Sequence, residues 1–320
     1  MSELVAVDVG GTHARFALAS VADGRVTSLG EVVTLRTADH ASLQTAWEAF
    51  GRQAGCPLPR AVAIAIAGPV GGEVIRFTNN PWTIDPTLIG ENLGVDRQVL
   101  INDFAAVAHA VAQAEPGHFV HLCGPDVALP EGTISVVGPG TGLGVAHLWR
   151  DAGSYRVTAT EGGHLNYAPT DAIEDAILAR LRQRYRRVSV ERVVAGPGLA
   201  DIHATLARLE GKAVREVDDK DLWALAMSGG DSLSAAALER FCLALGSVAG
   251  DLALAQGAVA TVIAGGLGYR IRDQLLRSGF AQRYCAKGRF ESMMASLPVK
   301  LITHPQPGLF GAAAAFAHLA

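Results

Sequence analysis

Cysteine is scarce in this chain and is not arranged for metal or disulfide chemistry. The four cysteines, Cys56, Cys123, Cys242 and Cys285, stand far apart, and no C-x-x-C pair occurs among them. A zinc cage and a disulfide framework both need suitably spaced cysteines, so neither is predicted. We expect reduced thiols and a cytoplasmic protein.

Charge is also sparse, at 18% of residues with a formal net charge of -4. Nucleic-acid binding needs a concentrated basic surface, and the one basic run is Arg180 to Arg187. The apolar pattern around it predicts a helix over 171–187 with the arginines on its solvated face. No nucleic-acid partner is therefore predicted.

Long uninterrupted hydrophobic runs are missing as well. The longest apolar helix, predicted over 232–256, contains Glu239, Arg240 and Asp251, each of which would cost roughly 3 kcal/mol in lipid. A strand over 4–7 follows Met1 almost directly, and we expect no signal peptide before it. We predict no membrane partner.

Two glycine-rich hairpins repeat along the chain. An apolar strand, a glycine turn and a second strand fill residues 4–19, and the same order returns over 133–149. A third extended segment follows each hairpin, so two similar halves are predicted, each beginning with three strands.

Strands and helices alternate after each hairpin, as in a mostly parallel sheet. The sequence predicts two α/β domains, each a mixed sheet flanked by helices. The smaller covers 1–112 and is completed by a C-terminal helix over 304–320, and the larger covers 113–303.

The hairpin tips have the composition of phosphate-binding turns. Gly10, Gly11 and Thr12 form the first tip, and Thr141 with Gly142 lie in the second. Glycine lets backbone N–H groups approach an anion, and threonine adds a hydroxyl. An ordinary glycine-rich turn explains either tip alone, but two tips in matching positions favour a triphosphate site.

Two familiar nucleotide-binding motifs are excluded. A dinucleotide fingerprint requires a helix after its glycines, whereas a β-like segment follows Gly142, and no G-x-x-x-x-G-K-[ST] occurs. A third turn, with Gly265 and Gly266, ends one strand and opens a helix. It fits either an approach to a nucleotide or an ordinary helix start.

Acidic residues at strand ends are candidates for catalysis. Asn102 and Asp103 follow an apolar strand, where they fit either helix caps or, for Asp103, a base that accepts the proton of an attacking hydroxyl. Asp8 ends the first strand and could reach Mg²⁺ through water.

Another acidic group suits a ligand rich in hydroxyls. Glu161 and His164 flank two glycines, and Glu191 opens a predicted helix. Carboxylates accept hydrogen bonds and neutral histidine can donate or accept, so these residues fit a sugar. A loop histidine and a favourable charge at a helix start are the alternatives.

Six sequence motifs together resemble those of bacterial glucokinase along essentially the whole chain. They are Asp8 to Thr12, Ile101 to Phe104, Gly140 to His147, Glu161 to His164, Glu191 to Leu199 and Ile263 to Gly266. The resemblance implies an actin-like, ribonuclease-H-like ATPase fold with ATP and glucose in a cleft between the domains. His13, where the family more often has asparagine, and Pro139, where a small residue is more usual, depart from the pattern.

The resemblance also implies residue roles. Glucose hydroxyls would be held by Asn102, Asp103, Glu161, His164 and Glu191, with Asp103 also the base. Phosphates would lie at Asp8 to Thr12 and at Thr141 with Gly142, and the adenosine side at Gly265 and Gly266.

The implied reaction is phosphorylation of the 6-hydroxyl of glucose by ATP with Mg²⁺, in a homodimeric glucokinase. A kinase of mannose or of an N-acetylhexosamine would share nearly every motif, although the cysteine-rich zinc loop of the latter group has no counterpart in residues 165–170. A sugar-sensing regulator without catalysis is the other alternative, and the retention of Asp103 argues against it.

Overall fold

The computed structural model describes residues 2–68, 70, 72, 74–77, 80, 82–214 and 217–319. The chain divides into two compact units. Unit 1 comprises Met1–Glu115 with His304–Ala320, and unit 2 comprises Pro116–Thr303. The chain therefore leaves unit 1 once and returns to it at its C-terminal end.

Unit 1 is built on a six-stranded mixed sheet. Its strands are β1 (Ser2–Val9), β2 (His13–Ala22), β3 (Arg25–Leu29), β4 (Val33–Arg36), β5 (Ala61–Ile66) and β8 (Arg97–Asn102), while β6 (Ile75–Arg76) and β7 (Thr83–Ile84) form a small separate hairpin. The order is β3-β2-β1-β5-β8, with β4 also pairing with β2. Strand β1 runs antiparallel to β2 and parallel to β5.

The helices of unit 1 follow this sheet. They are α1 (Leu43–Ala54), α2 (Ile89–Leu93), α3 (Asp103–Gln113) and the C-terminal helix (Pro307–Leu319). Ser42 caps α1 through a reciprocal hydrogen-bond pair with Thr45. The C-terminal helix is apolar on nearly every face and is buried along most of its length, as such a helix must be in water.

Unit 2 carries a second six-stranded mixed sheet. Its strands are β9 (Phe119–Cys123), β10 (Gly132–Pro139), β11 (Leu143–Asp151), β12 (Ser154–Thr160), β13 (Ala260–Ile263) and β14 (Val299–Ile302), in the order β12-β11-β10-β13-β14-β9. Strand β10 pairs antiparallel with β11 and parallel with β13.

Nine helices of unit 2 lie within the described residues. They are α4 (Ala172–Arg182), α5 (Glu191–Val194), α6 (Gly198–Leu209), α7 (Asp219–Ser228), α8 (Ser232–Gln256), α9 (Gly265–Arg270), α10 (Arg272–Arg277), α11 (Phe280–Cys285) and α12 (Glu291–Ala295). Helix α8 is long and apolar enough to span a membrane by length and composition, but 72% of its apolar window is buried inside the structure. It packs against α6, α7 and α11 as a core helix of unit 2.

The two sheets share one topology, as the repeated hairpins predict. The path β3-β2-β1-β5-β8 in unit 1 corresponds strand for strand to β12-β11-β10-β13-β14 in unit 2. In each, an antiparallel hairpin is extended on the side of its first strand by two parallel strands. Strand β9 is an addition at the edge of unit 2 that the sequence pattern did not predict.

The predicted helix over 171–187 is wrong at its C-terminal end. Helix α4 stops at Arg182, and Val190 and Tyr167 then donate backbone hydrogen bonds to Leu165 and Val188. The arginines are not simply solvated either. Arg180 and Arg184 both lie beside the carboxylate of Asp201, at 3.7 and 2.5 Å.

Candidate functional site

The first glycine turn, in unit 1, is held in place by hydrogen bonds that other residues donate to its carbonyl groups. The carbonyl of Gly10 accepts from Asn80 Nδ2 at 3.2 Å, and those of Gly11 and Thr12 accept from the hydroxyl and the N–H of Thr37 at 3.1 Å each. The N–H of Gly10 is itself donated to the carbonyl of His13 at 2.9 Å, so the N–H groups that this turn can offer to an anion are those of Gly11 and Thr12. The hydroxyl of Thr12 hydrogen-bonds to His13 Nδ1 at 3.0 Å, so His13 acts directly on this turn.

Asp8 lies at the end of β1, immediately before this turn. Its carboxylate pairs with Arg15 at 3.2 Å, directly across the β1–β2 ladder. Burial raises the pKa of Asp8, and the charge and hydrogen bond of Arg15 oppose that rise. A Cβ at Gly308, near the start of the C-terminal helix, would lie 2.7 Å from Asp8 Oδ2, so only glycine allows this close approach.

Asn102 and Asp103 occupy the junction of β8 and α3. Asn102 is the N-cap, and its Oδ1 accepts from the N–H groups of Phe104 and Ala105 at 2.9 and 3.1 Å. Its amide group donates to the carbonyl of Gly68 at 3.2 Å. Asp103 is the first helical residue and accepts from the N–H of Phe104 at 2.8 Å. The cap is thus supplied chiefly by Asn102.

The register of the sheet brings these residues to one edge. Val9 in β1 lies opposite Ile66 in β5, and Ile66 lies opposite Asn102 in β8. Because neighbouring strands are about 4.8 Å apart, the ends of β1 and β8 are roughly 10 Å apart. The predicted phosphate turn and Asp103 therefore follow the carboxyl ends of parallel strands at the same sheet edge, where α/β proteins bind ligands.

The second glycine turn, Pro139 to Leu143, occupies the corresponding position in unit 2, between β10 and β11. The N–H of Gly140 donates to the carbonyl of Gly142, and the carbonyl of Gly140 accepts from the N–H of Gly196, both at 2.8 Å. The N–H of Leu143 donates to Glu191 Oε2 at 2.9 Å. A predicted sugar residue thus contacts the predicted phosphate turn directly.

Glu161 and His164 lie in the short segment after β12. Both side chains are more than half exposed, with His164 Nε2 3.8 Å from Glu161 Oε2. Gly163 in this segment packs against the second turn, since a Cβ there would lie 2.2 Å from the carbonyl oxygen of Leu143. The glycines between the acid and the imidazole are therefore required by packing.

The third turn also reaches the second. Gly265 has a φ of +80°, and a Cβ on it would lie 2.6 Å from the carbonyl oxygen of Pro139. It begins helix α9, whereas a Cβ on Gly266 would meet open space. In unit 2 the turn Pro139 to Leu143 is thus contacted by the predicted sugar segments and by the predicted adenosine segment.

The thirteen predicted site residues form two groups, one in each unit. Asp8, Gly10, Gly11, Thr12, Asn102 and Asp103 follow one sheet edge of unit 1. Thr141, Gly142, Glu161, His164, Glu191, Gly265 and Gly266 belong to the segments around the second turn in unit 2.

Several supporting residues were missed by the sequence analysis. Arg187 donates to the carbonyl of His164 at 2.6 Å and to Asn166 Oδ1 at 2.7 Å, and Asn80 and Thr37 hold the first turn. Arg15, the partner of Asp8, was also missed. Of these residues it alone could have been predicted from the sequence, because the short hairpin places it opposite Asp8 in the strand register.

The donor set around Asp8 fits Mg²⁺ held mainly by other ligands. Within the described residues no group of three or more His, Cys, Asp or Glu side chains could hold a metal ion. Mg²⁺ typically uses one or two carboxylates together with waters and substrate phosphates. A single partly buried carboxylate beside the predicted phosphate turn satisfies that pattern.

Comparison with known proteins decides the family. A family model described as Glucokinase matches residues 4–319. A glucokinase from Zymomonas mobilis is 60% identical over 317 residues, which cover 99% of this chain and 98% of that protein. The chain belongs to the glucokinase family. The prediction of a sugar-phosphorylating transferase, made from the six sequence motifs, is thereby confirmed.

Solved structures support the same assignment. The crystal structure of a glucokinase from an Antarctic psychrotroph has a TM-score of 0.88 at 33% identity, and the match covers both chains entirely. A ROK family glucokinase from Streptomyces griseus, in complex with glucose and AMPPNP, has a TM-score of 0.62 at 20% identity and 98% coverage of each chain. The predicted actin-like ATPase fold is confirmed, and at 20% identity the second likeness shows the fold alone.

Proposed function

We propose that this glucokinase-family chain transfers the γ-phosphoryl group of ATP to the 6-hydroxyl of glucose, with Asp103 as the general base. The observation that carries the proposal is the shared sheet edge of unit 1, where Asp103 follows β8 and the turn Gly10 to Thr12 follows β1. That placement puts the strand end before the proposed proton acceptor two strands away, roughly 10 Å, from the strand end that leads into the proposed phosphate turn.

The groups of unit 1 divide the chemistry among them. The N–H groups of Gly11 and Thr12 in the first turn bind phosphate oxygens, and Asp103 accepts the proton of the sugar hydroxyl as its oxygen attacks. Asn102 holds the start of α3 and the carbonyl of Gly68, which fixes the backbone that carries the base. Mg²⁺ bound to the phosphates beside Asp8 would neutralise their negative charge.

The groups of unit 2 bind the sugar and the remainder of the nucleotide. Glu161, His164 and Glu191 hydrogen-bond glucose hydroxyls, Thr141 and Gly142 bind phosphate, and Gly265 with Gly266 face the adenosine. The complex of the Streptomyces griseus protein with glucose and AMPPNP, a stable ATP analogue, supports this pair of ligands.

Replacement of the base tests the proposal. Asp103→Asn keeps the side-chain oxygen that accepts from Phe104 but loses the ability to take a proton. We expect turnover with Mg²⁺-ATP and glucose to fall by about 10²- to 10⁴-fold while the dissociation constant for glucose stays within about threefold. A coupled kinetic assay and glucose titration measure the two quantities.

Asp85→Asn is the matched control. Asp85 also accepts from a backbone N–H at a helix start in unit 1, that of Thr87 at 2.9 Å, and asparagine is an equally good cap. Its turnover should equal that of the unaltered protein. Near-normal turnover in Asp103→Asn would contradict the assignment of the base.

The choice of sugar is tested with the unaltered protein. We expect glucose to be the preferred acceptor over fructose, mannose and N-acetylglucosamine. A higher kcat/KM for mannose or N-acetylglucosamine would make the chain a kinase of that sugar, and transfer to none of the four would favour a sugar sensor.

The likeness to glucokinases also supports a cytoplasmic homodimer. Sedimentation velocity should then show one species of twice the 33.3 kDa chain mass. A single species at the chain mass would contradict the dimer.

A further inference from the structure

The carboxylate of Glu191 lies where two predicted subsites meet. Its Oε2 accepts the N–H of Leu143 at 2.9 Å, at the end of the second glycine turn. The same oxygen would be 2.5 Å from a Cβ placed on Gly142. The carboxylate is thus packed against the residue that the sequence assigns to phosphate, although the sequence assigns Glu191 itself to the sugar.

Other contacts immobilise both ends of this bond. Strand β11 begins at Leu143, whose carbonyl oxygen is covered by Gly163. Gly196, just after α5, donates to the carbonyl of Gly140, and its own carbonyl accepts from Trp223 Nε1 at 3.0 Å. Because the turn and the segment carrying Glu191 are bonded at two points, a displacement of one is transmitted to the other.

We propose that Glu191 is a positioning residue for the phosphate turn, and that this turn and the sugar subsite are energetically coupled through its carboxylate. Oε2 orients the Leu143 amide, and Oε1 is available to a sugar hydroxyl. The proposal rests on the proposed function, which supplies the sugar and the nucleotide. Gly142 is then glycine for two reasons, the approach of phosphate and the space for Glu191.

The coupling predicts that a glycine of the phosphate turn controls sugar affinity without any nucleotide present. In Gly142→Ala the new methyl group collides with Glu191 Oε2 and displaces the carboxylate. Since a hydrogen bond to a charged group contributes a factor of roughly 10 to 100 in affinity, the dissociation constant for glucose alone should rise by at least about tenfold. Isothermal titration with glucose measures it.

Gly140→Ala is the matched control on the same turn. A Cβ at Gly140 lies 3.9 Å from its nearest neighbour, the carbonyl oxygen of Gly142, and does not touch Glu191. This variant should bind glucose alone within about twofold of the unaltered protein. Unchanged glucose affinity in Gly142→Ala, or an equal loss in both variants, would overturn the coupling.

A second pair of variants covers the case in which Gly142→Ala does not fold. Glu191→Ala and Glu161→Ala each remove one predicted sugar carboxylate, but only Glu191 contacts the turn. Both should weaken glucose binding, whereas only Glu191→Ala should weaken the binding of AMPPNP without sugar, by about tenfold, and speed hydrogen exchange of the Leu143 amide. Equal AMPPNP affinity and equal exchange in the two variants would overturn the proposal.

The design separates this inference from the proposed function. Phosphorylation of glucose by the unaltered protein tests the function before any variant is made. If that protein neither binds nor phosphorylates glucose, the function fails and the coupling fails with it. If it does both, the variants test the coupling alone.

Discussion

Arg187 shows how a residue outside the predicted site can shape it. Its guanidinium donates to the carbonyl of His164 and to Asn166 Oδ1, which ties the predicted sugar segment to the strand-like residues that follow α4. Both acceptors lie within one planar fork of donors, a geometry that arginine provides and lysine does not. The side chain thereby fixes the backbone from which His164 projects.

Arg187→Ala should weaken sugar use more than chemistry. Loss of the two charge-assisted hydrogen bonds frees the His164 carbonyl, so we expect the KM for glucose to rise by about 3- to 10-fold while kcat changes by less than about twofold. Arg187→Lys should recover little, because one ammonium group does not reproduce the fork. Steady-state kinetics with varied glucose measure both constants.

The neighbouring residue provides the control for this experiment. Arg186 is exposed and belongs to the same basic run, so Arg186→Ala removes the same charge without disturbing His164. An equal rise in KM in both variants would mean that the charge of the run, and not the bonds of Arg187, affects the sugar.

Sequence reasoning missed Arg187 for a physical reason. No glycine or proline interrupts residues 171–187. The helical period of the apolar residues therefore predicted a helix that continues beyond Arg182, with the arginines on its solvated face. The actual end of α4 is set by pairing of residues 165–167 with 188–190, which are far apart in any local window. Glu161, His164 and Glu191 could be proposed from the sequence because side-chain chemistry and motif order are properties of the sequence itself.

The contact of α3 with the C-terminal helix contains a buried imidazole. His109 is only 4% exposed, and its ring centroid lies 5.9 Å from that of His318. Burial, together with the smaller effect of the nearby His318, lowers the pKa of His109 to about 4. The neutral form of this histidine is thus the one that the folded state accommodates.

Acid should weaken unit 1 through this histidine. The pKa of His109 in the folded state is below the unfolded value of about 6.5. Its contribution to the free energy of unfolding is therefore fully present above pH 6.5 and is lost as the pH falls toward 4. Each pH unit within that window costs about 1.4 kcal/mol, or roughly 2 kcal/mol between pH 7 and pH 5. Urea unfolding, followed by hydrogen exchange of the backbone amides of β1 and β5 in unit 1, should show this loss.

The slope of the free energy of unfolding against pH, rather than its absolute value, shows whether His109 is the titrating group. His109→Gln removes the titration, so its free energy of unfolding should fall less steeply between pH 7 and pH 5. An identical slope in the variant would show that other groups are responsible for the loss in acid.

Individual elements were predictable to different degrees. The hairpins β1–β2 and β10–β11 were clear because two apolar extended segments flank a glycine turn within a few residues of each other. Helix α8 begins and ends where the sequence analysis placed it, between the cap Asp231 and Gly257 in the left-handed region. Strand β9 was missed, because its five residues at a sheet edge, four of them half-buried, carry no distinct hydrophobic period.

At the scale of the whole molecule, the duplication is the feature that the sequence reveals best. Both sheets contain a hairpin with a glycine turn, β1–β2 in one and β10–β11 in the other, and add two parallel strands beside the first strand of that hairpin. The recurrence of one local pattern predicted that correspondence without any knowledge of tertiary contacts. The role of each half could not be predicted in the same way, because Asp103 has no acidic counterpart that the repeat would reveal.

The C-terminal helix shows how far apart in sequence the parts of unit 1 are. It packs on β1, β2, β5 and α3, and Gly311 approaches so closely that a Cβ there would lie 1.7 Å from the carbonyl oxygen of Ala106. Leu309 and Phe316 are each at most 1% exposed. Burial of each such side chain is worth about 1.5–3 kcal/mol, so unit 1 depends on residues that follow all of unit 2 in the chain.

Truncation after Thr303 should therefore unfold unit 1 and spare unit 2. The deletion uncovers the apolar faces of β1, β5 and α3, whereas the sheet and core helix of unit 2 lie wholly within Pro116–Thr303. We expect backbone amides of β1, β5 and α3 to lose protection against hydrogen exchange by at least about 100-fold while those of β10, β13 and α8 keep it. A chain shortened only by Leu319 and Ala320 is the control and should keep protection in both units, because Leu319 is 61% exposed. Retained protection of β1 and β5 in the longer truncation would show that unit 1 folds without its returning helix.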